Sequence, residues 1–349
     1  MKSFQIAHKT ISELNPAFII AELSANHDHK FEIAEKTIYA AKEAGADAIK
    51  LQTYTADTIT IDCRNDYFML KHGTIWDGQN FHDLYKQAYT PWDWQPRLKE
   101  IAESVGLVCF SSPFDPTSVD FLERMNVPAY KVASFEITDI PLIEYIASKG
   151  KPVIISTGIA YEQDIWDAIE ACKRVGNEQI ILLKCTSAYP ASFEEMNIST
   201  IDDMPKKFGF MAGLSDHSMG HSVAVAAVAL GAKVIEKHFI LDRNIGGPDA
   251  SFSMEPAEFK TMVQAIRDVE KAMGKITYEL SEKSLKSREY SRSLFVVKDI
   301  KKGESFTHEN IRSIRPGYGL HPKYYNEILG KKAKRDLTFG TPLKLEFIN

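Results

Sequence analysis

"GFMAGLSDHSMGHSVAVAAVALGAKVIEKHF" (residues 209–239) is the stretch on which the fold turns. It opens on one short apolar run, "GFMAGLS", and closes on another, "KVIEKHF". Between them, "VAVAAVALGA" (223–232) holds only small apolar residues. It falls well short of the roughly twenty residues that a bilayer needs, and it reads as a buried helix. Strand, helix, strand in so short a span is a βαβ unit, whose two strands lie parallel. A histidine sits at the end of each run, His217 and His238. Either they are two unrelated surface residues, or they meet on one rim and hold something together.

Outward from this unit the same alternation runs back to the N-terminus. The candidate strands are "AFIIAE" (17–22), "DAIKLQT" (47–53), "LVCFSS" (107–112), "AYKVAS" (129–134), "PVIIST" (152–157) and "IILLKCT" (180–186), followed by the two already quoted. Amphipathic stretches such as "EIAEKTIYAAKEAG" (32–45) and "SVDFLERMN" (118–126) separate them, several closed by Gly or Asn. Eight β-then-α units in about 260 residues predict a closed (β/α)8 TIM barrel. A doubly wound open sheet is the alternative, weakened because no Gly-x-Gly-x-x-Gly follows the first strand.

Two segments break the pattern. "YFMLKHGTIWDGQNFHDLYKQAYTPWDW" (67–94) is too long and too aromatic for an ordinary connection. It follows the second strand on the active-site rim, where it is either a wall of the site or a subunit contact. After Gly274, "ITYELSEKSLKSREYSR" (276–292) is polar and reads as a linker. The pieces "SLFVVKDIKKGESFT", "IRSIRPGYGL" and "GTPLKLEFI" then predict a compact, mostly-β domain at 293–349, after a barrel domain at 1–275. A unit this small can lean on a partner surface for stability.

With 349 residues, 44% hydrophobic, and a formal net charge of −5, the composition argues against nucleic acid or an anionic membrane as the main partner. Any anionic ligand must therefore be held by a local cluster of basic groups. Cys63, Cys109, Cys172 and Cys185 are widely spaced and read as reduced thiols. "MKSFQIAHKTISELN" at the start has no apolar signal core. The expectation is a soluble cytoplasmic protein.

In such a barrel the C-terminal strand ends line the active site, and alternate side chains point inward. Lys50 and Gln52 share a parity on the second strand, and Lys131 sits between the small Ala129 and Ala133 on the fourth. Glu236 and His238 share a face of the eighth. The first strand delivers Glu22, followed by Ser24, Asn26 and His27; the fifth ends in Ser156-Thr157-Gly158 and the sixth in Lys184-Cys185-Thr186-Ser187. Singly, each has a bland explanation: a strand-end lysine snorkels, and Asp216 or Ser215 merely caps the next helix. Together, Lys50, Lys131, Lys184, His217 and His238 all fall at the same end of their strands. Lysines with Ser and Thr hydroxyls make a phosphate or carboxylate site. Two imidazoles from adjacent strands make part of a metal site completed by water and substrate oxygen. That mix favours Mn²⁺, with Co²⁺ or Mg²⁺ as alternatives, over a closed structural zinc. With Glu22 and Glu136 nearby, the residues alone point to a metal-assisted lyase, aldolase or transferase acting on a phosphorylated small molecule.

The motifs "AELSANH" (21–27), "AGADAIKLQTY" (44–54), "YKVASFE" (130–136), "ISTG" (155–158), "GLSDHS" (213–218) and "EKHFILDRNIGGPD" (236–249) resemble the sialic acid synthases. The C-terminal portion resembles their antifreeze-like SAF domain, and the likeness spans essentially the whole chain. It implies condensation of phosphoenolpyruvate with an amino sugar to give a nine-carbon 2-keto acid, with phosphate leaving by C–O cleavage. By that resemblance His217 and His238 are metal ligands, and Lys50, Lys131, Ser134, Ser156 and Ser215 bind phosphoenolpyruvate beside Gln52. Glu22 and Asp249 lie near metal and sugar, Glu136 is an acid/base near the carbon that receives water, and Tyr189 is on the substrate side. Arg292 reaches from the C-terminal domain into the partner subunit's barrel, which implies a domain-swapped homodimer.

Segments 74–94, 110–115 and 313–324 most resemble the branch whose sugar is 2,4-diacetamido-2,4,6-trideoxy-L-altrose, a precursor of flagellar or cell-surface glycans. Ser187, in "KCTSAYP" (184–190), stands where the N-acetylneuraminate branch usually carries Asn. That shorter side chain and the aromatic insertion suit a less polar, 6-deoxy sugar. The alternatives are a legionaminic or N-acetylneuraminic acid synthase, a sugar-phosphate aldolase that needs no phosphoenolpyruvate, and a carbohydrate- or ice-binding protein without catalysis. The many lysines and arginines of the tail speak against an ice-binding face.

Overall fold

A computed structural model describes residues 3–71 and 73–349; Met1, Lys2 and His72 lie outside the described residues, as does the very start of the N-terminal segment. An antiparallel hairpin, β1 (Phe4–Ile6) with β2 (Lys9–Ile11), precedes the first long strand. Eight strands follow: β3 (Phe18–Glu22), β4 (Ala48–Thr53), β5 (Val108–Pro113), β6 (Tyr130–Val132), β7 (Val153–Ser156), β8 (Ile180–Cys185), β9 (Met211–Asp216) and β10 (Val234–His238). They pair in sequence order, all parallel, and β10 closes on β3. Because one face of each strand meets helices and the other meets the barrel interior, the strands are buried along nearly their whole length. A helix follows each strand before the next begins, from Phe31–Glu43 after β3 to Pro256–Met273 after β10. This is the TIM barrel that the alternation predicted.

Local chemistry explains the helix ends. Asp115 accepts from the backbone N–H groups of Thr117 and Ser118, and Pro116 sits in the first turn, so Pro116–Arg124 starts there. Gly209, at φ +81°, ends Thr200–Phe208 in the left-handed conformation. The Ser222–Ala229 helix is apolar all round, and its small side chains let it pack against Pro256–Met273.

At the N-terminal end of the barrel, Asp47 ties three segments together. It accepts from Lys9 Nζ at 2.7 Å, from Arg267 Nη2 at 3.0 Å and from the Ile19 N–H at 3.0 Å. The chain divides into two compact units, Met1–Gly274 and Lys275–Asn349. The second opens with a short helix, Glu282–Ser287, inside the stretch read as a linker. It then pairs β11 (Ser293–Val296) with β12 (Ile311–Ile314), antiparallel. Leu294, Val296, Ile300, Phe306, Ile311 and Leu343 form its own core. Among the described residues, no helix is long and apolar enough to cross a membrane.

Candidate active site

Four charged side chains from four strands meet inside the C-terminal end of the barrel. Glu22 ends β3 and lies in direct ion contact with Lys50 of β4. Glu236 of β10 is 3.5 Å from Lys50 Nζ and 3.7 Å from Lys131 Nζ. All four are buried. Charges taken from water titrate where their neighbours dictate. Burial, against the pull of Lys50, pushes the Glu22 carboxyl up to about 7. Burial acts the same way on Glu236, but Lys131 and Lys50 outweigh it and hold that carboxyl below its usual range. Two carboxylates in one pocket are thus pushed apart, Glu22 upward and Glu236 downward. Burial lowers the Lys131 ammonium.

A hydroxyl cradle adjoins the lysines. Lys131 Nζ donates to Ser156 Oγ at 2.7 Å, and Ser187 Oγ donates to Ser134 Oγ at 2.8 Å. Gly158 makes room for them: a Cβ there would lie 2.2 Å from Ser187 Oγ and 2.4 Å from Ser134 Oγ. Ser215 Oγ reaches Glu236 at 3.4 Å. Two ammonium groups with converging hydroxyls are the donor set that an anion such as phosphate requires. Gln52, half-buried, follows Lys50 by two residues on the same face of β4. Lys184, which also ends a strand, donates instead to the Cys185 carbonyl at 2.8 Å.

His217 and His238 do meet, with ring centroids 5.4 Å apart. His217 Nδ1 faces the Thr186 carbonyl at 2.9 Å, which directs its Nε2 to any cation. His238 Nδ1 is buried without a hydrogen-bond partner and lies 3.7 Å from Asp249 Oδ2. Burial, then the nearby His217, lowers the His238 imidazole, whereas against burial the neighbouring Cys185 raises that of His217. Two rings sharing one cation through bonds of about 2.1 Å must sit this close. Among the described residues no group of three His, Cys, Asp or Glu side chains is suited to hold a metal. His217 and His238 are the two nitrogen donors that this rim offers a cation.

Aromatic rings wall this centre. Tyr189 lies 4.4 Å from His217 and 5.2 Å from Phe252, and Phe252 lies 5.0 Å from His238. Trp76, from the long segment after β4, closes on Tyr189 at 5.4 Å and donates its indole N–H to the Pro248 carbonyl at 3.1 Å. Ser24 Oγ hydrogen-bonds Asp249. Glu136 is half-buried with its Oε2 atom enclosed and unpartnered, and desolvation pushes its carboxyl up to about 7.

Of the residues expected at the site, only Arg292 belongs to the second unit. There it is exposed, and Nη1 donates to the Ser313 carbonyl at 2.9 Å. Glu236, Trp76 and Phe252 were not among the expected site residues. The parity of Glu236 with His238 was a signal for it; nothing local marks Trp76 or Phe252 among so many aromatics.

Comparison with known proteins gives the same outline. Residues 37–278 match the model of the NeuB family, and residues 291–349 match the SAF domain. The chain is 50% identical over 327 residues to a pseudaminic acid synthase of Campylobacter jejuni, covering 94% of this chain and 95% of that one. It is 46% identical over 336 residues to that of Helicobacter pylori, covering 96% and 98%. A crystal structure of the N-acetylneuraminic acid synthetase from Leptospira borgpetersenii superposes with a TM-score of 0.72 at 32% identity, over 83% of this chain and 96% of that one.

Proposed function

The chain belongs to the NeuB family and carries a SAF domain, and from that premise we propose that it makes pseudaminic acid. The substrates are phosphoenolpyruvate, water and 2,4-diacetamido-2,4,6-trideoxy-L-altrose; phosphate is the second product. The observation that carries this reading is the buried pair of lysines beside two facing imidazoles on one rim.

Lys50 and Lys131, with Ser134, Ser156, Ser187 and Ser215, bind the phosphate and carboxylate of phosphoenolpyruvate beside Gln52. His217 and His238 hold a divalent cation, Mn²⁺ by preference, and when bound it supplies Lewis-acid polarisation of the sugar's aldehyde oxygen. C3 of phosphoenolpyruvate attacks the aldehyde carbon. Glu22, protonated near neutrality and paired in register with His238, donates the proton that the new alkoxide takes up. Glu136 removes a proton from the water that adds at C2. The C2–O bond to phosphate then breaks, and the new C2 hydroxyl gives its proton to the departing phosphate, leaving the ketone. Asp249 and Tyr189 orient the sugar, and Trp76 with Phe252 covers its 6-methyl group.

Arg292 acts in the barrel of a partner subunit within a domain-swapped homodimer, residues 276–292 serving as the linker. The exposed Phe135, Tyr161, Phe193 and Met219, one in each loop after β6, β7, β8 and β9, support this: they offer an apolar rim for a partner's domain. The site of action is the cytoplasm.

The test is phosphate release from phosphoenolpyruvate with Mn²⁺, comparing the altrose sugar with N-acetylmannosamine and the legionaminic precursor, each with a chelator control. Release with the altrose sugar alone, abolished by chelator, is the expected result. Preference for another sugar overturns the substrate assignment, and release that survives chelation and His217→Ala overturns the metal site.

A further inference from the structure

The two imidazoles come from neighbouring strands, so their separation is only as well defined as the seam between β9 and β10. That seam contains a buried ion pair. Lys237 Nζ donates to Asp216 Oδ2 at 2.7 Å, and the two side chains are 1% and 0% exposed. The remaining polar atoms are satisfied too: Asp216 Oδ1 accepts from the Ser218 N–H at 2.9 Å and from its hydroxyl at 2.7 Å. Lys237 Nζ also donates to the Ser218 carbonyl at 2.7 Å.

Asp216 and Lys237 are cross-strand partners, Asp216 immediately before His217 and Lys237 immediately before His238. Alternation along β10 turns Lys237 away from the face that carries Glu236 and His238. The pair therefore lies off the face that forms the anion cradle, and the reading of the site gives it no part in the chemistry.

A buried ion pair contributes little net stability over an apolar pair of the same shape, and its best-attested use is to specify register. Register matters here, because a slip of one residue would carry His238 to the opposite face of the strand. We propose that Asp216 and Lys237 are positioning residues that hold the His217 and His238 rings at metal-binding separation. The inference rests on the metal reading of those two histidines.

The experiment titrates the full-length protein, without substrates, against Mn²⁺, following the free-ion signal by electron paramagnetic resonance, with calorimetric Tm measured on metal-free protein. The variant Asp216→Asn/Lys237→Met removes both charges while keeping the Ser218 acceptor and the aliphatic stem. Asp216→Asn alone is the milder second variant should the double one not fold. The expected result is a Tm close to the parent's with Mn²⁺ bound about tenfold or more weakly, the size seen when groups that orient metal ligands are lost. A folded variant whose Mn²⁺ dissociation constant rises by less than about tenfold overturns the proposal alone. A parent that does not deplete the free-ion signal overturns the metal reading, and the proposal with it.

Discussion

At the scale of single residues, burial sets the protonation of the site. Glu136 titrates near 7 in the folded protein against an ordinary 4.5, because its carboxyl is desolvated. The folded state then holds a proton that the unfolded chain has already released between those values. Stability is therefore lost as pH rises from about 4.5 to 7, by on the order of 3 kcal/mol. Glu136→Gln has no such proton. Its Tm relative to the parent should climb between pH 5 and pH 8, read by calorimetry at each pH; a parallel pair of curves contradicts the burial argument. Trp76 carries a different prediction. Its ring meets Tyr189 and Phe252, the rings that flank the imidazoles. Trp76→Ala should lower kcat/KM for the 6-deoxy sugar about tenfold, a scale set by small apolar groups in pockets. The KM for phosphoenolpyruvate should stay put. Steady-state kinetics varying each substrate separate the two effects.

Among the elements, the barrel strands were legible because each is a short apolar run bounded by helical patterns. The eight observed strands fall within a residue or two of the eight runs read from the sequence. The exception shows the limit: "AYKVAS" yields only Tyr130–Val132, because the 3-10 turn Ser134–Glu136 takes up its end. No sequence pattern marks the β1–β2 hairpin, as three-residue strands are too short to display a period. Asp47 is the device that holds this end together. Asp47→Ala deprives Lys9, Arg267 and the Ile19 N–H of a common acceptor, and should cost about 2 kcal/mol in urea unfolding. Activity at low temperature should be unchanged, since the site lies at the opposite end of the strands.

For the whole molecule, the proposed exchange of Arg292 between subunits has a direct test. Arg292→Ala and His217→Ala chains, each inactive alone, are co-expressed and allowed to pair at random. Half of the dimers are then mixed, each with one complete site out of two. Activity should return to about a quarter of the parent's if the arginine acts on the partner. No recovery means that it acts on its own barrel.

The sequence by itself determined the order of the strands and which side chains could serve. Alternation along a strand and identity at its end are local properties, so Lys50, Lys131, His217 and His238 were readable one strand at a time. Only the tertiary structure decided who meets whom. Closure of β10 on β3 sets Glu22 beside His238, packing inside the barrel puts Glu236 between two lysines, and the course of one long loop lays Trp76 over Tyr189. These neighbours are far apart in the chain, and what brings them together is barrel closure and the desolvation that follows, which no local pattern encodes.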